Sequence, residues 1–483
     1  MSNGQHQDST ESPGDSSTQI LAWEDDPGQP DTPNQPVSHP TPDIGKPPFP
    51  STIEGSTPSP GGVAGTPEFR YWAAADALRR VADFWGGICG EDAPWHSTVG
   101  RQLTVHLDQG EDFNAYYDRE GLNFFHGAVG QSVFYSGESP DVACHEFGHA
   151  VLDSIRPQLW DVHSAEPPAL HEAFGDMSAM LSALQLPSFR GKAIAATSGK
   201  LDRSSRLSRL AEQLGWAIRQ SHPEVVEADS LRNASNSFFY KDPLTLPPIG
   251  PATSLSSEPH SFSRVFTGAF LTALAGMFSI QATADEAALE QVSQDAGKLL
   301  VEAARNTPVT VSYFSQFAAH MLAADQAQLG GKYTEALRNG FVKHGVLALP
   351  DATSTSIATA PAGMTASPAA EAPSPQRIAL SGEAYGLDEQ LLVHAAAEPR
   401  RFDVAGAAAD TGSVPETSYE AAAAGYVEDV FRRGHVAIPP EARTGREVAV
   451  ELSHATHEVR REDDALVLVR RLFHCGWHAT PEE

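Results

Sequence analysis

The chain has 483 residues, 41% of them hydrophobic, so it can bury a large core and form more than one folded unit. Its 62 Asp and Glu outnumber 33 Lys and Arg, and the formal net charge of −29 argues against a nucleic-acid partner, because phosphate contacts need clustered basic residues. The sequence contains no signal-peptide pattern and no apolar run of membrane-spanning length. We therefore expect a cytoplasmic protein without a membrane partner, although export without a signal peptide is compatible with the sequence.

Two low-complexity stretches divide the chain. Residues 1–66 are rich in Pro, Ser, Thr, Gly and Asp, with Lys46 as their only Lys or Arg, a composition typical of a disordered acidic leader. A second stretch, rich in Ala, Pro, Ser and Thr, predicts a linker. The expected segments are the leader (1–66), a strand-rich lobe (67–160), a helical lobe (161–350), the linker (351–376) and an α+β accessory domain (377–483).

The order of the predicted elements indicates an α+β fold with two lobes. Apolar residues recur at helical spacing from Tyr71 to Trp85, and three short segments then have the character of strands. These strands are predicted at 101–107, 113–117 and 122–126, and later helices near 203–221, 261–282, 286–306, 311–325 and 333–345. A strand-rich half and a helical half on either side of a central helix leave a cleft between them.

The five residues from His145 to His149 spell HEFGH. Residues four apart lie on the same face of a helix, so these two imidazoles can point at one cation. The sequence also supplies the start of such a helix. Ser139 is a suitable N-cap, Pro140 suits the first helical position, and Asp141 complements the positive end of the helix dipole.

A catalytic zinc takes three protein ligands, so a third must come from elsewhere. One continuation of the motif, that of the metzincins, requires a glycine and a further histidine, but Leu152 and Ile155 stand at those positions. The other requires a glutamate on a second helix with an aspartate four residues later, which Glu172 and Asp176 satisfy. Pro167 opens this second helix, and the carboxylate of Asp176 is placed to orient a ligating imidazole.

These residues resemble those of the thermolysin-like neutral metallopeptidases, a gluzincin family, over about residues 68–350. Besides the HEFGH motif and the Glu172 to Asp176 pair, the resemblance rests on three segments. They are Asn114 to Tyr117, Leu231 to Asn233, and Glu258 to Ser263. The resemblance implies a two-lobed metallopeptidase, with a strand-rich N-terminal catalytic lobe, a central HExxH helix and a helical C-terminal catalytic lobe.

The resemblance also implies roles for individual residues. Asn114 and Ala115 would belong to an edge strand that pairs with an extended peptide substrate, the main chain supplying most of the affinity. Arg232 would donate a hydrogen bond to a substrate carbonyl. His260 would stabilise the oxyanion of the tetrahedral intermediate.

Several positions depart from the family pattern. Leu255 stands where an aspartate would orient the catalytic histidine, so Glu258 or a backbone carbonyl would have to replace it. The tyrosine that serves as a second oxyanion donor has no match, and His163 falls at its place by spacing. Asp141 is at the position of one calcium ligand, but the acidic partners downstream of Glu172 are not recognisable, so calcium binding stays open.

The function expected from these residues is hydrolysis of peptide bonds by one Zn²⁺ held on His145, His149 and Glu172. Glu146 would be the general base that takes the proton of the zinc-bound water. The substrate would be a peptide or protein. The alternatives are an exopeptidase and a catalytically silent peptide-binding protein that retains zinc for structure.

The region beyond the linker is a separate problem. Residues 416–434 predict a helix, and 446–453 and 464–474 predict strands, which gives a small α+β domain whose partner is unknown. Its histidines and cysteine match no established zinc finger, so ordinary surface or strand positions are the favoured interpretation. These residues are His454, His457, His474, Cys475 and His478.

Overall fold

The structure is a computed structural model. It describes residues 18–349, 375–404, 417–442, 455–474 and 476. The α-helices that these residues complete are α1 (Pro67–Cys89), α2 (Pro140–Ile155), α3 (Gln158–Asp161), α4 (Glu166–Ala183), α5 (Pro187–Thr197), α6 (Glu212–Arg219), α7 (Pro259–Ser279), α8 (Glu286–Asn306), α9 (Tyr313–Leu329), α10 (Thr334–Lys343) and α11 (Tyr419–Arg432).

The strands of the described residues are mostly short. They are β1 (Gln19–Ala22), β2 (Val37–Pro40), β3 (Ser51–Ile53), β4 (Leu103–His106), β5 (Ala115–Tyr117), β6 (Gly121–Phe124), β7 (His126–Val129), β8 (Ser132–Tyr135), β9 (Arg209–Leu210), β10 (Arg232–Asn233), β11 (Gln376–Leu380), β12 (Leu391–Ala395), β13 (Val436–Ala437), β14 (His457–Glu462), β15 (Ala465–Arg470) and β16 (Phe473–His474). The protein is therefore a mixed α and β protein, as the sequence predicts.

The described residues form two five-stranded sheets, besides three pairs of short strands. The first has the order β16-β5-β6-β4-β3, in which β3, β4 and β6 are parallel and β5 is antiparallel to β6. The second has the order β11-β12-β15-β14-β13. In the sequence, β16 of the first sheet comes directly after β15 of the second sheet. The predicted accessory domain thus contributes one strand to the sheet of the strand-rich lobe.

The central helices α2 and α4 approach each other closely at two glycines. A Cβ atom added to Gly148 would meet Cβ of Ser178 at 2.7 Å, and one added to Gly175 would meet ring atoms of His145 at 2.6–2.7 Å. The long helices α1 and α7 pack against this pair, and their buried faces belong to one continuous apolar core. Since any larger side chain at these glycines would force the helices apart, their separation is set by the sequence.

The helix predictions are confirmed for most of the chain, with one error. The expected helix at 203–221 is reduced to α6, and it is preceded by the short strand β9. Ala211 has a φ of 50°, in the left-handed region, so it cannot continue a right-handed helix. The buried carboxylate of Asp141 accepts a hydrogen bond from the Ala211 N–H at 3.0 Å and holds this turn in place.

The prediction of a disordered leader is wrong for residues 18–66. These residues contain β1, β2 and β3, and Ile20, Trp23 and Phe49 are buried in the main core. This stretch is poor in apolar residues, but the few that it contains pack into the main core. Residues 1–17 lie outside the described residues, as do residues 350–374, which include most of the predicted linker.

The accessory region has an apolar core of its own, formed by one face of its sheet and by α11. The expected helix at 416–434 is confirmed, whereas the strand expected at 446–453 lies outside the described residues. Polar contacts also tie this region to the end of α2 and to α3. Arg156 and Glu398 form an ion pair at 3.1 Å, and Nε of Arg470 donates to the Trp160 carbonyl at 3.0 Å.

One helix of the described residues, α7, is long and apolar enough to cross a membrane. Of its most apolar stretch, 78% is buried inside the fold. Its composition is therefore explained by packing in the protein core.

Phe49→Ala tests whether the N-terminal segment is part of the core. The Phe49 ring lies 4.7 Å from the Trp95 ring between centroids and is 1% exposed, so its removal leaves a cavity. We expect the free energy of unfolding to fall by about 3–5 kcal/mol, measured by chemical denaturation. Val63→Ala, at a side chain that is 67% exposed, is the matched control and should change stability by less than about 0.5 kcal/mol. Equal stabilities of the two variants would contradict a packed N-terminal segment.

Candidate metal centre

The HEFGH residues lie in the buried middle of α2. The helix begins as predicted, because the Ser139 side chain accepts a hydrogen bond from the Val142 N–H and Pro140 occupies the first turn. Ser139 in turn donates to the buried carboxylate of Asp26 at 2.6 Å. The N-terminal segment therefore helps to fix the start of the helix that carries the candidate ligands.

The three predicted metal ligands converge in the structure. Nε2 of His145 and Nε2 of His149 are 3.0 Å apart, and Oε2 of Glu172 lies 3.4 Å and 3.7 Å from them respectively. None of these side chains is more than 4% exposed. The α2 helix supplies the two imidazoles and α4 supplies the carboxylate, so the close packing of the two helices creates the group.

The outer nitrogens of both imidazoles are engaged by neighbours. Nδ1 of His145 lies 3.0 Å from Oδ1 of Asp176, as the sequence predicts, and Nδ1 of His149 lies 2.9 Å from Nδ1 of His171. If both His145 and His149 carry their proton on Nδ1, they donate to these neighbours and present the lone pair of Nε2 inward. The contacts therefore favour the tautomers that a metal requires.

His171 is a site residue that the sequence reasoning missed. It precedes Glu172 on α4, is fully buried, and holds the ring of His149. Burial, together with the nearby His149, lowers the pKa of His171 well below its usual range, so it is a neutral acceptor. Its position directly beside the predicted third ligand is the only signal that could have revealed it.

The charge state of the site depends on this burial. Burial lowers the pKa of His149 to about 3, which keeps the imidazole neutral. Burial alone would raise the pKa of Glu172, but the charge of His260 lowers it well below its usual range. For His145, burial is outweighed by the hydrogen bond that the imidazole donates to Asp176, which raises the pKa of His145.

Arg232 contacts Asp176 and His145, and it also lines a neighbouring cleft. Its guanidinium binds the carboxylate of Asp176 at 2.8 Å and lies 3.4 Å from Nδ1 of His145. Burial opposes ionisation of Asp176, but the charge of Arg232 and the hydrogen bond to His145 lower its pKa to about 2. The role of Arg232 in binding a substrate carbonyl stays a prediction, and its contacts with Asp176 and His145 make it a support of the His145 ring.

His260 is brought to the same centre by the start of α7. Its Nε2 lies 3.2 Å from Oε2 of Glu172, and its Nδ1 lies 2.7 Å from Oε1 of Glu258. Glu258 is also the N-cap of α7, because its side chain accepts from the Ser261 N–H. Of the two replacements considered for the aspartate missing at Leu255, the structure selects Glu258. Burial opposes protonation of His260, but Glu172 and Glu258 raise its pKa well above its usual range.

Glu146, the neighbour of His145 in α2, is fully buried. The ligand atoms of His145, Glu146 and His149 all lie within 4.8 Å of one another, so this group could hold a metal ion. Among the residues that the structure describes, this is the one group of three or more His, Cys, Asp or Glu side chains placed to hold a metal ion. His457 and His474 do not form a second one, whereas His454, Cys475 and His478 lie outside the described residues.

His163, which falls at the place of the second oxyanion donor by spacing, makes its hydrogen bonds with the accessory sheet. It is buried against the accessory sheet. Its Nδ1 accepts a hydrogen bond from the backbone N–H of His394 at 3.1 Å, and its backbone N–H donates to the His394 carbonyl at 2.8 Å. Burial lowers its pKa to about 3. His163 therefore joins the two parts of the fold.

The predicted substrate-binding strand is paired on both sides. Ala115 begins β5, whose inner neighbour is β6 and whose outer neighbour is β16. Oδ1 of Asn114 accepts from the N–H of Gly476 at 2.8 Å and from the N–H of Ala115 at 2.8 Å. The edge at which a peptide is expected to bind is thus covered by a segment of the same chain.

A cleft of about 410 Å³ lies beside His260 and the end of β16. It has both polar and apolar walls, and it connects the region of His260 with the ends of β10 and β16. Its lining includes Leu231, Arg232, Glu258, His260, His474 and Gly476.

Asp141 is part of a buried acidic cluster with Asp25, Asp26 and Glu212. Asp26 accepts hydrogen bonds from the backbone of Gly28 and Gln213, and burial is the largest cause of raised pKa values for the three aspartates. The acidic partner downstream that the sequence did not reveal is Glu212. The contacts of these carboxylates are hydrogen bonds within the protein, and calcium binding stays an open prediction.

Comparison of the chain with protein-family models and with curated proteins gives no match. The resemblance to thermolysin-like peptidases therefore rests on the residues themselves. The geometry provides a buried group able to hold a metal, without defining the metal or the reaction.

Asp141→Asn tests the ionisation of the acidic cluster. Burial and the neighbouring Asp26 raise the pKa of Asp141 well above its usual range, and that of Asp25 is raised to about 7. The folded state thus keeps protons that the unfolded chain loses near pH 4, and stability should fall as the pH rises from about 4 through 7. The variant should lose less stability over this interval in urea unfolding at several pH values.

The exposed Asp92→Asn is the matched control and should follow the wild type. A calcium-dependent increase in stability that disappears in Asp141→Asn would show ionised carboxylates holding a cation, and would contradict the protonated cluster.

Proposed function

We propose that this protein is a zinc-dependent metalloendopeptidase of the thermolysin-like type. The single observation that carries the proposal is the buried convergence of His145 Nε2, His149 Nε2 and Glu172 Oε2, with Glu146 beside them. Three ligands of this kind leave a fourth position for water, which is the donor set of a catalytic zinc site.

The separations of the donor atoms support a tetrahedral ion. Ligand atoms at about 2.0–2.2 Å from a tetrahedral zinc are about 3.3–3.6 Å apart. The three separations of 3.0, 3.4 and 3.7 Å are close to this range. Two imidazoles and one carboxylate also suit zinc better than calcium or magnesium, which prefer oxygen ligands. When bound, zinc supplies a water with a pKa near 7 and polarises the scissile carbonyl.

Glu146 is the proposed general base. It adjoins His145 on α2, and its carboxylate lies within 4.8 Å of the ligand atoms of His145 and His149, close enough to take a proton from the attacking water while Glu172 serves as the third ligand. Its complete burial gives the proton transfer a site shielded from bulk solvent. The proton would then pass to the amine that leaves.

His260 is the proposed oxyanion stabiliser. Glu258 holds its Nδ1 at 2.7 Å, which leaves Nε2 to donate toward the centre where negative charge develops. The raised pKa of His260 supports a donor that is protonated at neutral pH. Glu258 acts through His260 and is therefore a positioning residue.

The proposed substrate is a peptide in extended form, bound along β5. An endopeptidase is favoured over an exopeptidase because the cleft that His260 lines extends to Arg232 and to Gly476, which leaves room for a chain longer than a terminal residue. A silent peptide-binding protein is the second candidate, and the missing second oxyanion donor favours it. The presence of Glu146 counts against it, because a structural zinc site has no need of a base.

Glu146→Gln separates these functions. We expect the wild type to cleave a quenched fluorescent peptide supplied in large excess, and the variant to be slower by a factor of about 10²–10⁴, the usual contribution of a general base. Zinc content, measured by atomic absorption, should be the same in both proteins. Bound zinc without hydrolysis in either protein would contradict the peptidase proposal. Unchanged hydrolysis in the variant would contradict the role of Glu146.

His260→Ala tests the oxyanion role. The variant should lose a factor of about 10²–10³ in kcat with little change in KM, because the donor acts on charge that develops in the transition state. Glu258→Gln keeps a side chain of the same size and should retain part of the activity while shifting the pH profile of kcat. An effect of His260→Ala on KM alone would make this residue a substrate-binding group.

A further inference from the structure

Residues 472–474 and 476 leave the sheet of the accessory region and enter the candidate active site. After β15 ends at Arg470, β16 joins the opposite sheet and pairs antiparallel with β5, Phe473 opposite Tyr117 and His474 opposite Tyr116. Without β16, β5 would be the exposed edge of that sheet. An extended segment added to a free edge is the geometry by which many proteins bind peptides.

The backbone of these residues forms hydrogen bonds with two side chains that are proposed to bind the substrate or stabilise the oxyanion. The carbonyl of His474 is a hydrogen-bond partner of His260 Nε2, the nitrogen proposed to stabilise an oxyanion. Two residues later the N–H of Gly476 donates to Oδ1 of Asn114 at 2.8 Å. The segment therefore engages both predicted contacts at once, one on each side of the centre.

The side chain of Phe473 packs against the rings of His149, His171 and Trp160. Its ring stacks on the His171 ring with centroids 4.1 Å apart and on the His149 ring at 5.0 Å. Trp160 meets it edge-on at 5.2 Å. Phe473 is 2% exposed, so it fills this pocket and excludes water from the outer side of the His149 ring.

Gly476 is required by the closeness of the approach. A Cβ atom added there would lie 2.3 Å from the carbonyl oxygen of Phe113 and 2.7 Å from Cα of Asn114. These are backbone atoms, which cannot move aside as the end of a side chain can. Any residue larger than glycine therefore forces the segment away from β5.

We propose that residues 472–474 and 476 form an intramolecular occupant of the substrate groove, which binds β5 as an extended peptide substrate does and competes with it. This inference rests on the proposed function. The occupant lies antiparallel to β5, with an apolar side chain in the pocket of His149, His171 and Trp160 and a carbonyl at His260. The substrate class is accordingly an extended polypeptide that can displace this strand, in the same direction along the groove.

Gly476→Ala in the full-length chain tests the proposal. Its steric conflict should release the segment, so the KM for a quenched peptide should fall by about tenfold or more while kcat stays the same, which corresponds to an open groove in about one tenth of wild-type molecules or fewer. Gly87→Ala is the matched control, because a Cβ atom there meets nothing within 4 Å. It should leave KM unchanged.

Two further readouts do not depend on hydrolysis. Hydrogen exchange of the fragment that covers β5 should be faster in Gly476→Ala than in the wild type, because the outer edge of the strand is uncovered. A labelled peptide with the sequence of residues 470–478 should bind Gly476→Ala and bind the wild type at least about tenfold more weakly, with a scrambled peptide as control.

The failures of the two proposals are distinguishable. Faster exchange and peptide binding in Gly476→Ala, without hydrolysis by any variant, would support the occupant and overturn the peptidase. Hydrolysis with equal KM in the wild type and Gly476→Ala would overturn the occupant and leave the peptidase intact. Loss of both stability and activity in Gly476→Ala would overturn the occupant as well, because it would make the strand a structural part of the fold.

Discussion

The close approach of α2 and α4 is the constraint on which the candidate site depends. Only glycine fits at positions 148 and 175, so the two helices can bring imidazoles and a carboxylate within 3–4 Å of one another. Around this contact, polar groups are arranged in chains: His145 is held by Asp176, which is held by Arg232, and His149 is held by His171. Removing one partner of a buried ion pair typically costs about 3–5 kcal/mol, so the arrangement is rigid only while it is complete.

Much of this site could be predicted because its information is local. The spacing of His145 and His149, the cap at Ser139 and the pair of Glu172 and Asp176 each follow from the geometry of a single helix. The structure brings these residues together and adds contacts that no local pattern contains. Glu258 was one of two possible replacements in the sequence, and its choice depended on the path of the chain before α7.

The parts that could not be predicted are those that depend on distant partners. The N-terminal segment has the composition of a disordered chain, yet Trp23 and Phe49 are buried because other elements offer them apolar surface. Asp26 is similarly fixed by donors from residues far along the sequence. The pairing of β16 with β5 joins residues more than 350 positions apart, and a two-residue strand carries too little pattern to reveal it.

An occupant tethered to the groove has an advantage over a free substrate that does not require strong contacts. Only residues 471 and 472 separate this strand from β15, so the chain itself holds the strand beside the groove at a high effective concentration. A free substrate must therefore bind more tightly than the tethered strand does to occupy the groove equally. Because the strand uses backbone pairing and one apolar pocket, a longer peptide that adds contacts in the cleft beyond Arg232 and Leu231 has the means to displace it. The same enclosure that keeps water from His149 would thus make the site selective for chains that extend past the occupant.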